Sequence, residues 1–261
     1  MTTDIILEAQ NLRKQFGGVV AVADVNLQVS RHTVHSIIGP NGAGKTTLFN
    51  LLSGRYELTT GKVILNERDI THVPFHRRAH IGMARSYQIT NIFPNLTVLE
   101  NVRLAVQALT PARFDFLRSV HYYKTFIDKA IYILEQVGLG DALEQPANEL
   151  PHGGKRKLEL AILLASDAEL LLLDEPTAGM ASEQVPELID TIQQIRQASN
   201  KTILLVEHNM NVVMNISHKI TVMNYGQVLA EGDPSSIADN KDVQNVYLGG
   251  LYSEVMKDVQ Q

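Results

Sequence analysis

Residues 39–46 combine small residues, a lysine and a hydroxyl group in a spacing suited to binding phosphate. The run follows the apolar stretch at 34–38 and reads Gly39-Pro40-Asn41-Gly42-Ala43-Gly44-Lys45-Thr46, with Thr47 next. Small residues let successive backbone N–H groups surround phosphate oxygens at the start of a helix. In the pattern G-x-x-x-x-G-K-[ST], the lysine neutralises the β- and γ-phosphates and the hydroxyl joins an Mg²⁺ shell.

The run therefore predicts a site for a nucleotide triphosphate. Lys45 and Thr46 are expected in the two roles just given, with Thr47 close to the α- and β-phosphates. The alternative is a glycine-rich turn with a solvated lysine. A strand before the run and a helix after it argue against that alternative.

Two carboxylates, Asp174 and Glu175, follow the four leucines at 170–173. Such a run predicts a buried strand, and open α/β sheets place ligands at the carboxyl ends of their strands. Alone, the pair is more typical of a strand end that leads into a solvated turn. In a chain with a phosphate-binding loop, we expect Asp174 to hold Mg²⁺ through its water shell and Glu175 to polarise the water that attacks the γ-phosphate.

The elements around the loop are predicted from hydrophobic patterning. Short β-like runs between residues 5 and 38, interrupted by the turn signal Gly17-Gly18, indicate an antiparallel β segment. A helix is expected over residues 46–53, and a further strand over residues 62–65.

Helical periodicity dominates from about residue 95 to Gly138, a helix stop, and indicates a helical insertion. The buried strand at 170–173 and another at 203–206 flank a predicted helix that tolerates Pro186 in its first turn.

Composition limits the classes of function. The chain has 261 residues, of which 44% are hydrophobic and 20% charged, enough for one large domain or one domain with an insertion. A net charge of -5 argues against nucleic acid as a partner. The absence of cysteine excludes a disulfide framework and a cysteine-ligated zinc site. We find no targeting segment and no apolar run near the roughly 18 residues that span a bilayer, so a membrane role is expected to require another protein.

These motifs resemble those of ATP-binding-cassette ATPases, the cytoplasmic motors of membrane transporters, over almost the whole chain. The resemblance implies a single α/β domain at 1–261, with a P-loop NTPase core, an antiparallel β subdomain and an inserted helical subdomain. The expected parts are the β subdomain and phosphate loop at 1–94, the helical subdomain with the signature helix at 95–165, and the rest of the core with the C-terminal tail at 166–261.

The resemblance adds three residues to the site. Phe16 is expected to stack on adenine, Gln88 to reach Mg²⁺ and the attacking water, and His208 to contact the γ-phosphate. Each has a simpler alternative: Phe16 could belong to the core, Gln88 could be an exposed glutamine, and His208 is one of nine histidines.

The family signature, usually LSGGQ, corresponds here to Leu150-Pro151-His152-Gly153-Gly154. Proline replaces a serine that would contact the γ-phosphate bound to the opposite subunit, whereas the glycines still allow backbone N–H groups to face phosphate. The basic residues at 155–157 are predicted to form a solvated helix face. Ala181 stands where the family often has an aspartate that couples two sites, so we expect coupling through the backbone of residues 178–181 or weaker coupling.

Several further segments are similar to the ATP-binding subunits of branched-chain or hydrophobic amino acid importers, among them Val206-Glu207-His208-Asn209-Met210. The similarity implies membrane permease subunits and a second ATP-binding subunit, identical or sister, as partners. It also implies a periplasmic or extracellular solute-binding protein as an indirect partner, and a peripheral location on the cytoplasmic face of the cell membrane.

Four alternatives stay open. Related cassettes serve urea uptake and lipopolysaccharide export. A cassette acting on nucleic acid is disfavoured, because the interval between Gln88 and Pro151 is too short for a coiled-coil arm. An ATP sensor without turnover is disfavoured by the presence of Glu175 and His208.

Overall fold

The computed structural model describes residues 4–86, 92–108, 110, 124–199 and 201–247. It contains two compact units: the first comprises Met1–Arg77 and Thr202–Gln261, and the second comprises Arg78–Lys201. Within the described ranges, no helix is long and apolar enough to span a bilayer.

Strands and helices are interspersed along the described residues, which start with three successive strands. The strands are β1 (Ile5–Phe16), β2 (Val19–Ser30), β3 (Val34–Ile38), β4 (Thr60–Leu65), β5 (Arg68–Asp69), β6 (Met83–Arg85), β7 (Leu170–Asp174), β8 (Thr202–Val206), β9 (Lys219–Asn224) and β10 (Gln227–Gly232). The α-helices are α1 (Lys45–Leu52), α2 (Phe75–Arg78), α3 (Val98–Ala108), α4 (Lys124–Gln136), α5 (His152–Ala165), α6 (Val185–Ser199), α7 (Met210–Ile216) and α8 (Pro234–Ala238).

The first unit contains the predicted antiparallel β segment, but the predicted range 5–38 is wrong for residues 34–38, which pair in parallel with other strands. Four strands form a sheet in the order β2-β1-β4-β5, with β1 antiparallel to β2 and to β4. Along β2, the buried residues Val25, Leu27 and Val29 alternate with exposed ones. This period of two buries one face of the strand and leaves the other to solvent.

The first unit also contains the strand that leads into the glycine loop. β3 pairs in parallel with β8 on one side and β9 on the other, and β9 pairs antiparallel with β10. All five residues of β3 and of β8 are buried. Strands buried on both faces are rich in apolar residues, which made both predictable, although β3 also buries the polar residues His35 and Ser36. The β9–β10 hairpin was not predicted.

Among the residues that the structure describes, the second unit holds the strand that ends in Asp174 and four helices of more than ten residues. β7 is wholly buried and pairs in parallel with the short strand β6. Helices α3, α4 and α5 pack on one another, and α6 contacts α5. Gly138, with φ of 71°, follows the end of α4, as predicted. Its positive φ allows the Leu139 N–H to donate to the Leu134 carbonyl at 2.8 Å.

A histidine lies in the core of the first unit. His35, in β3, is fully buried, and its Nε2 lies 2.8 Å from Thr221 Oγ1. Burial, reinforced by the positive charge of Lys219, lowers the pKa of His35 from 6.5 to about 3. The imidazole is therefore neutral in the folded protein at pH 7, whereas an unfolded chain protonates it below about pH 6.5.

We expect His35 to make the folded state lose stability as the pH falls. Because the folded pKa lies below the unfolded one, the unfolded chain binds the extra proton between pH 6.5 and about 3. The free energy of unfolding should therefore fall by roughly 1.4 kcal/mol per pH unit across this window, and the loss is absent above it. Urea unfolding of His35→Gln should show a flatter pH dependence than the parent protein. The exposed His76→Gln is the control, and equal slopes for His35→Gln and the parent would contradict the assignment.

Candidate functional site

The phosphate loop joins β3 to α1 in the first unit. Helix α1 begins at Lys45, and the Leu48 N–H donates to the Gly44 carbonyl at 2.8 Å. Gly39, Gly42 and Gly44 have φ angles of 149°, 79° and 97°. This left-handed region strongly favours glycine, so the three glycines are a requirement of the loop backbone itself.

The β9–β10 hairpin contacts the phosphate loop and supports its backbone. The Gly226 N–H donates to the Ala43 carbonyl at 3.0 Å, and the Ala23 N–H donates to the Gly226 carbonyl at 2.8 Å. A Cβ on Gly39 would lie 2.2 Å from the Met223 carbonyl oxygen. The contacts of Met223 and Gly226 with the loop were not predicted from the sequence. The pair Tyr225-Gly226 was the turn signal that could have indicated this hairpin.

Lys45 folds over the loop that it follows. Its side chain is buried, and Nζ donates to the carbonyls of Gly39 at 2.6 Å and Pro40 at 3.0 Å. The ammonium group is thus held at the loop rather than solvated. Thr46 is exposed and Thr47 half-buried at the start of α1.

Gly44→Ala should destabilise the protein more than Gly42→Ala. Both positions have positive φ, which costs a non-glycine residue about 1 kcal/mol. At Gly44, however, the new Cβ would also lie 2.5 Å from the Ala21 carbonyl oxygen, whereas at Gly42 no atom of the described residues lies within 4 Å of it. Overpacking adds about 1–3 kcal/mol. Urea unfolding of the two variants measures this difference, and equal losses would refute the close approach of the loop to β2.

Phe16 stands at the exposed end of β1. Its side chain is 44% exposed, so it does not belong to the core. The Tyr56 ring meets it edge-on, with centroids 5.6 Å apart, and Lys14 Nζ lies 5.0 Å from its centroid. Lys14 is itself fixed by a 2.6 Å hydrogen bond to the Glu57 carbonyl. The arrangement presents an aromatic ring at the surface with its orientation restrained.

His208 follows β8 in the first unit and is exposed. The carboxylate of the buried Glu207 accepts from the backbone N–H groups of His208 at 2.7 Å and Asn209 at 3.0 Å. The Asn209 side chain then caps α7 by accepting from the N–H groups of Asn211 and Val212. The sequence around the histidine therefore builds a rigid turn that carries the imidazole.

The second unit carries the two acidic residues at the carboxyl end of β7. Asp174 is buried, and its Oδ2 accepts from Arg85 Nη2 at 2.8 Å. Its Oδ1 is buried without a hydrogen-bond partner among the described residues. Glu175 is half-buried with φ of 48°, a strained conformation for a residue other than glycine. Such strain is concentrated at functional sites.

A carboxylate oxygen that is buried and has no hydrogen-bond partner suits the role of ligand to a hard cation, or of acceptor from its bound water. The Oδ1 atom of Asp174 therefore fits the expected magnesium role. No cluster of three or more His, Cys, Asp or Glu residues lies among the residues that the structure describes. A cation there would thus draw most of its remaining ligands from elsewhere, as Mg²⁺ does with phosphate oxygens and water.

The signature segment forms the start of α5. Leu150 is buried, Pro151 occupies the N-cap with φ of -61°, and α5 begins at His152. Pro151 provides no side-chain cap, so it does not supply the hydroxyl of the serine that the family has at this position. Gly153 and Gly154 lie in the first turn and are half-buried.

The loop after Glu175 is attached to α5. Arg156 Nη2 donates to the Ala178 carbonyl at 3.3 Å, and a Cβ on Gly179 would lie 3.5 Å from the His152 ring. Ala181 is the N-cap of a short 3-10 helix, Ser182–Gln184. The start of the signature helix and this loop therefore contact each other within one chain.

The prediction of a solvated basic face on α5 is wrong for two of its three residues. The side chains of Arg156 and Lys157 are each only 11% exposed. Arg156 pairs with Glu159 at 2.8 Å, and Lys157 pairs with Glu187 on α6. Glu159 lies three residues away on the same helix, a pairing that the sequence could have indicated, whereas Glu187 lies thirty residues away and could not be inferred from local pattern.

The predicted residues are divided between the two units. The first unit holds Phe16, the loop at 39–47 and His208, and the second holds Asp174, Glu175 and the signature segment at 150–154. Gln88 lies outside the described residues, so its predicted role stays a prediction. The predicted subdomain boundaries at residues 94 and 165 also stay predictions.

Similarity to known proteins identifies the family. The family model for ABC transporters matches residues 22–178. The high-affinity branched-chain amino acid transport ATP-binding protein LivG of Escherichia coli is 39% identical over 249 residues, covering 94% of this chain and 98% of that protein. The chain belongs to the ABC transporter family. The corresponding protein BraF of Pseudomonas aeruginosa is also 39% identical to this cassette, over 251 residues, with 94% and 98% of the two chains covered.

Solved structures agree with this family assignment. The ADP conformation of an ATP-binding cassette of an ABC transporter superposes with a TM-score of 0.82 at 30% identity, covering 95% of this cassette and 100% of that chain. A nucleotide-free cassette gives a TM-score of 0.79 at 29% identity, with 93% and 98% covered. The predictions of an ABC-type ATPase, of its mixed α/β fold and of a nucleotide as ligand are confirmed.

Proposed function

We propose that this cassette is the ATP-binding and ATP-hydrolysing subunit of an importer for branched-chain or other hydrophobic or neutral amino acids. One observation carries the proposal: the similarity to LivG and BraF extends over 98% of each relative. Substrate choice in such systems belongs to other subunits, so the cargo is inferred from these relatives and not from the site.

The nucleotide is bound by residues of the first unit. Phe16 stacks on adenine, a role supported by its exposed and restrained ring. The backbone of residues 39–47 surrounds the phosphates, with Thr47 near the α- and β-phosphates. Lys45 transfers its ammonium group from the loop carbonyls to the β- and γ-phosphates, which are stronger acceptors because they are charged.

Thr46, Gln88 and Asp174 would hold Mg²⁺. The ion would supply positive charge that neutralises the phosphates and their leaving group. The unpartnered Oδ1 of Asp174 supports its part in this set.

Hydrolysis depends on Glu175, His208 and Lys45. Glu175 accepts a hydrogen bond from the attacking water and orients it in line with the γ-phosphate. His208 and Lys45 donate to the γ-phosphate oxygens, where negative charge changes during the transfer. The turn held by Glu207 supports this role, because a donor that is already positioned loses little freedom in the reaction.

A second ATP-binding subunit, identical or sister, closes face to face with this one. The N-terminus of α5 in each subunit, with the N–H groups of Gly153 and Gly154, then faces the nucleotide of the other. Closure on ATP and reopening after hydrolysis drive the permease subunits at the cytoplasmic face of the membrane. A solute-binding protein on the other side delivers the amino acid.

Reconstitution tests the cargo. The cassette is purified with the membrane subunits that bind it and inserted into vesicles, and ATP hydrolysis is measured with the matching solute-binding protein. Leucine, isoleucine or valine should stimulate hydrolysis and accumulate inside the vesicles. A complex carrying Glu175→Gln is the control and should not accumulate solute. Stimulation by urea, or release of lipopolysaccharide, in place of amino acid uptake would contradict the assignment.

A further inference from the structure

Arg85 contacts the carboxylate of Asp174, the residue proposed to hold Mg²⁺. It is the last residue of β6, and in the parallel pairing it lies opposite Leu172 of β7. Its Nη2 donates to Asp174 Oδ2 at 2.8 Å, and the two side chains are 5% and 2% exposed. A charged pair this deeply buried is uncommon unless its geometry is well satisfied.

The backbone next to this pair is tied to the same strand. The Ser86 N–H donates to the Leu172 carbonyl at 2.9 Å. The Asp174 N–H in turn donates to Ser86 Oγ at 3.0 Å. Residues 85 and 86 therefore fix both the main chain and the side chain of Asp174.

The two oxygens of Asp174 differ sharply in their surroundings. Oδ2 is occupied by the Arg85 guanidinium. Oδ1 is buried and has no hydrogen-bond partner within the described ranges. If both oxygens were equally available, rotation of the carboxylate would exchange them and allow bidentate contact with a cation.

We propose that Arg85 is a positioning residue for magnesium: it holds Asp174 by Oδ2 and so presents Oδ1 alone to the ion and its water shell. The inference rests on the proposed function, because it concerns the Mg²⁺ that accompanies ATP. Partners behind a metal-binding carboxylate commonly change metal affinity 10- to 100-fold when they are removed.

Arginine suits this position better than lysine does. Its planar guanidinium stays charged and fixes the direction of its donors, whereas a lysine ammonium is a point charge on a flexible stem. Arg85→Lys should therefore keep the compensating charge but restrain the carboxylate less.

Manganese binding gives the test. Mn²⁺ replaces Mg²⁺ and is titrated into the full chain with the non-hydrolysable analogue AMP-PNP, and free Mn²⁺ is followed by electron paramagnetic resonance. Arg85→Met should weaken Mn²⁺ binding to the protein–nucleotide complex by about 10- to 100-fold. Arg85→Lys should lie between Arg85→Met and the parent, while AMP-PNP binding without metal should be unchanged in both.

Arg103→Met is the matched control, because Arg103 is also buried but pairs with Glu100 on its own helix, α3. It should bind Mn²⁺ as the parent does. If Arg85→Met does not fold, the Mn²⁺ affinity of Arg85→Lys decides whether the positioning role holds. Parental Mn²⁺ affinity in the folded Arg85 variant would overturn the positioning role alone. A parent chain that binds no Mn²⁺ beyond that held by free AMP-PNP would overturn this role and the proposed function together.

Discussion

Glu175→Gln should lower the rate of ATP hydrolysis by about 10²- to 10⁴-fold while leaving ATP binding close to the parental value. The amide has nearly the same shape as the carboxylate, but it cannot accept the proton of the attacking water as a base does. Phosphate binding belongs to other residues, so the nucleotide is still held. Release of phosphate, measured under single-turnover conditions, gives the rate, and calorimetry gives the affinity for ATP.

Glu183→Gln is the matched control for this result. Glu183 is an exposed glutamate in the short helix that follows the same loop, and its replacement should leave both quantities unchanged. A Glu175→Gln protein that hydrolyses ATP at the parental rate would show that another residue polarises the water.

Lys45→Ala should weaken ATP binding by about 10- to 150-fold. A hydrogen bond to a charged group contributes about 1.5–3 kcal/mol, and 1.4 kcal/mol corresponds to a factor of ten in affinity. The loss should be larger for ATP than for ADP, because the ammonium group reaches the γ-phosphate as well as the β-phosphate. Calorimetric titrations with the two nucleotides give both dissociation constants.

Comparing the losses of ATP and ADP affinity separates the contact of the Lys45 ammonium with the γ-phosphate from its effect on the loop backbone. Lys45 also donates to the carbonyls of Gly39 and Pro40, so its removal loosens the loop for both nucleotides alike. Lys62→Ala, at an exposed site in β4, should leave both affinities unchanged. Equal losses for ATP and ADP in Lys45→Ala would contradict a contact with the γ-phosphate.

The sequence predicted those parts of the site whose chemistry is local. In the phosphate loop, glycine is required by the positive φ of Gly39, Gly42 and Gly44, and the lysine and hydroxyls follow directly in the chain. The leucines of β7 and the pair Asp174-Glu175 are likewise contiguous. In such segments, residue type and spacing carry the structural information themselves.

The contacts that support the site could not be predicted in this way. Arg85 meets Asp174 across 89 residues, and the hydrogen bond from Gly226 to Ala43 also joins distant segments. Tyr56, whose ring contacts Phe16, lies in an irregular segment between α1 and β4, where hydrophobic periodicity predicts no position. β6 has only three residues, too few to show a hydrophobic period. Tertiary pairing, not local pattern, sets these positions.

Titration of the purified chain with Mg-ATP in a calorimeter tests the assignment most directly. We expect one nucleotide per chain, with a dissociation constant in the range of about 1 μM to 1 mM typical of enzyme substrates, and weaker binding for Lys45→Ala. A folded parent chain that gives no heat of binding with Mg-ATP, or the same binding curve as Lys45→Ala, would contradict a nucleotide site at residues 39–47.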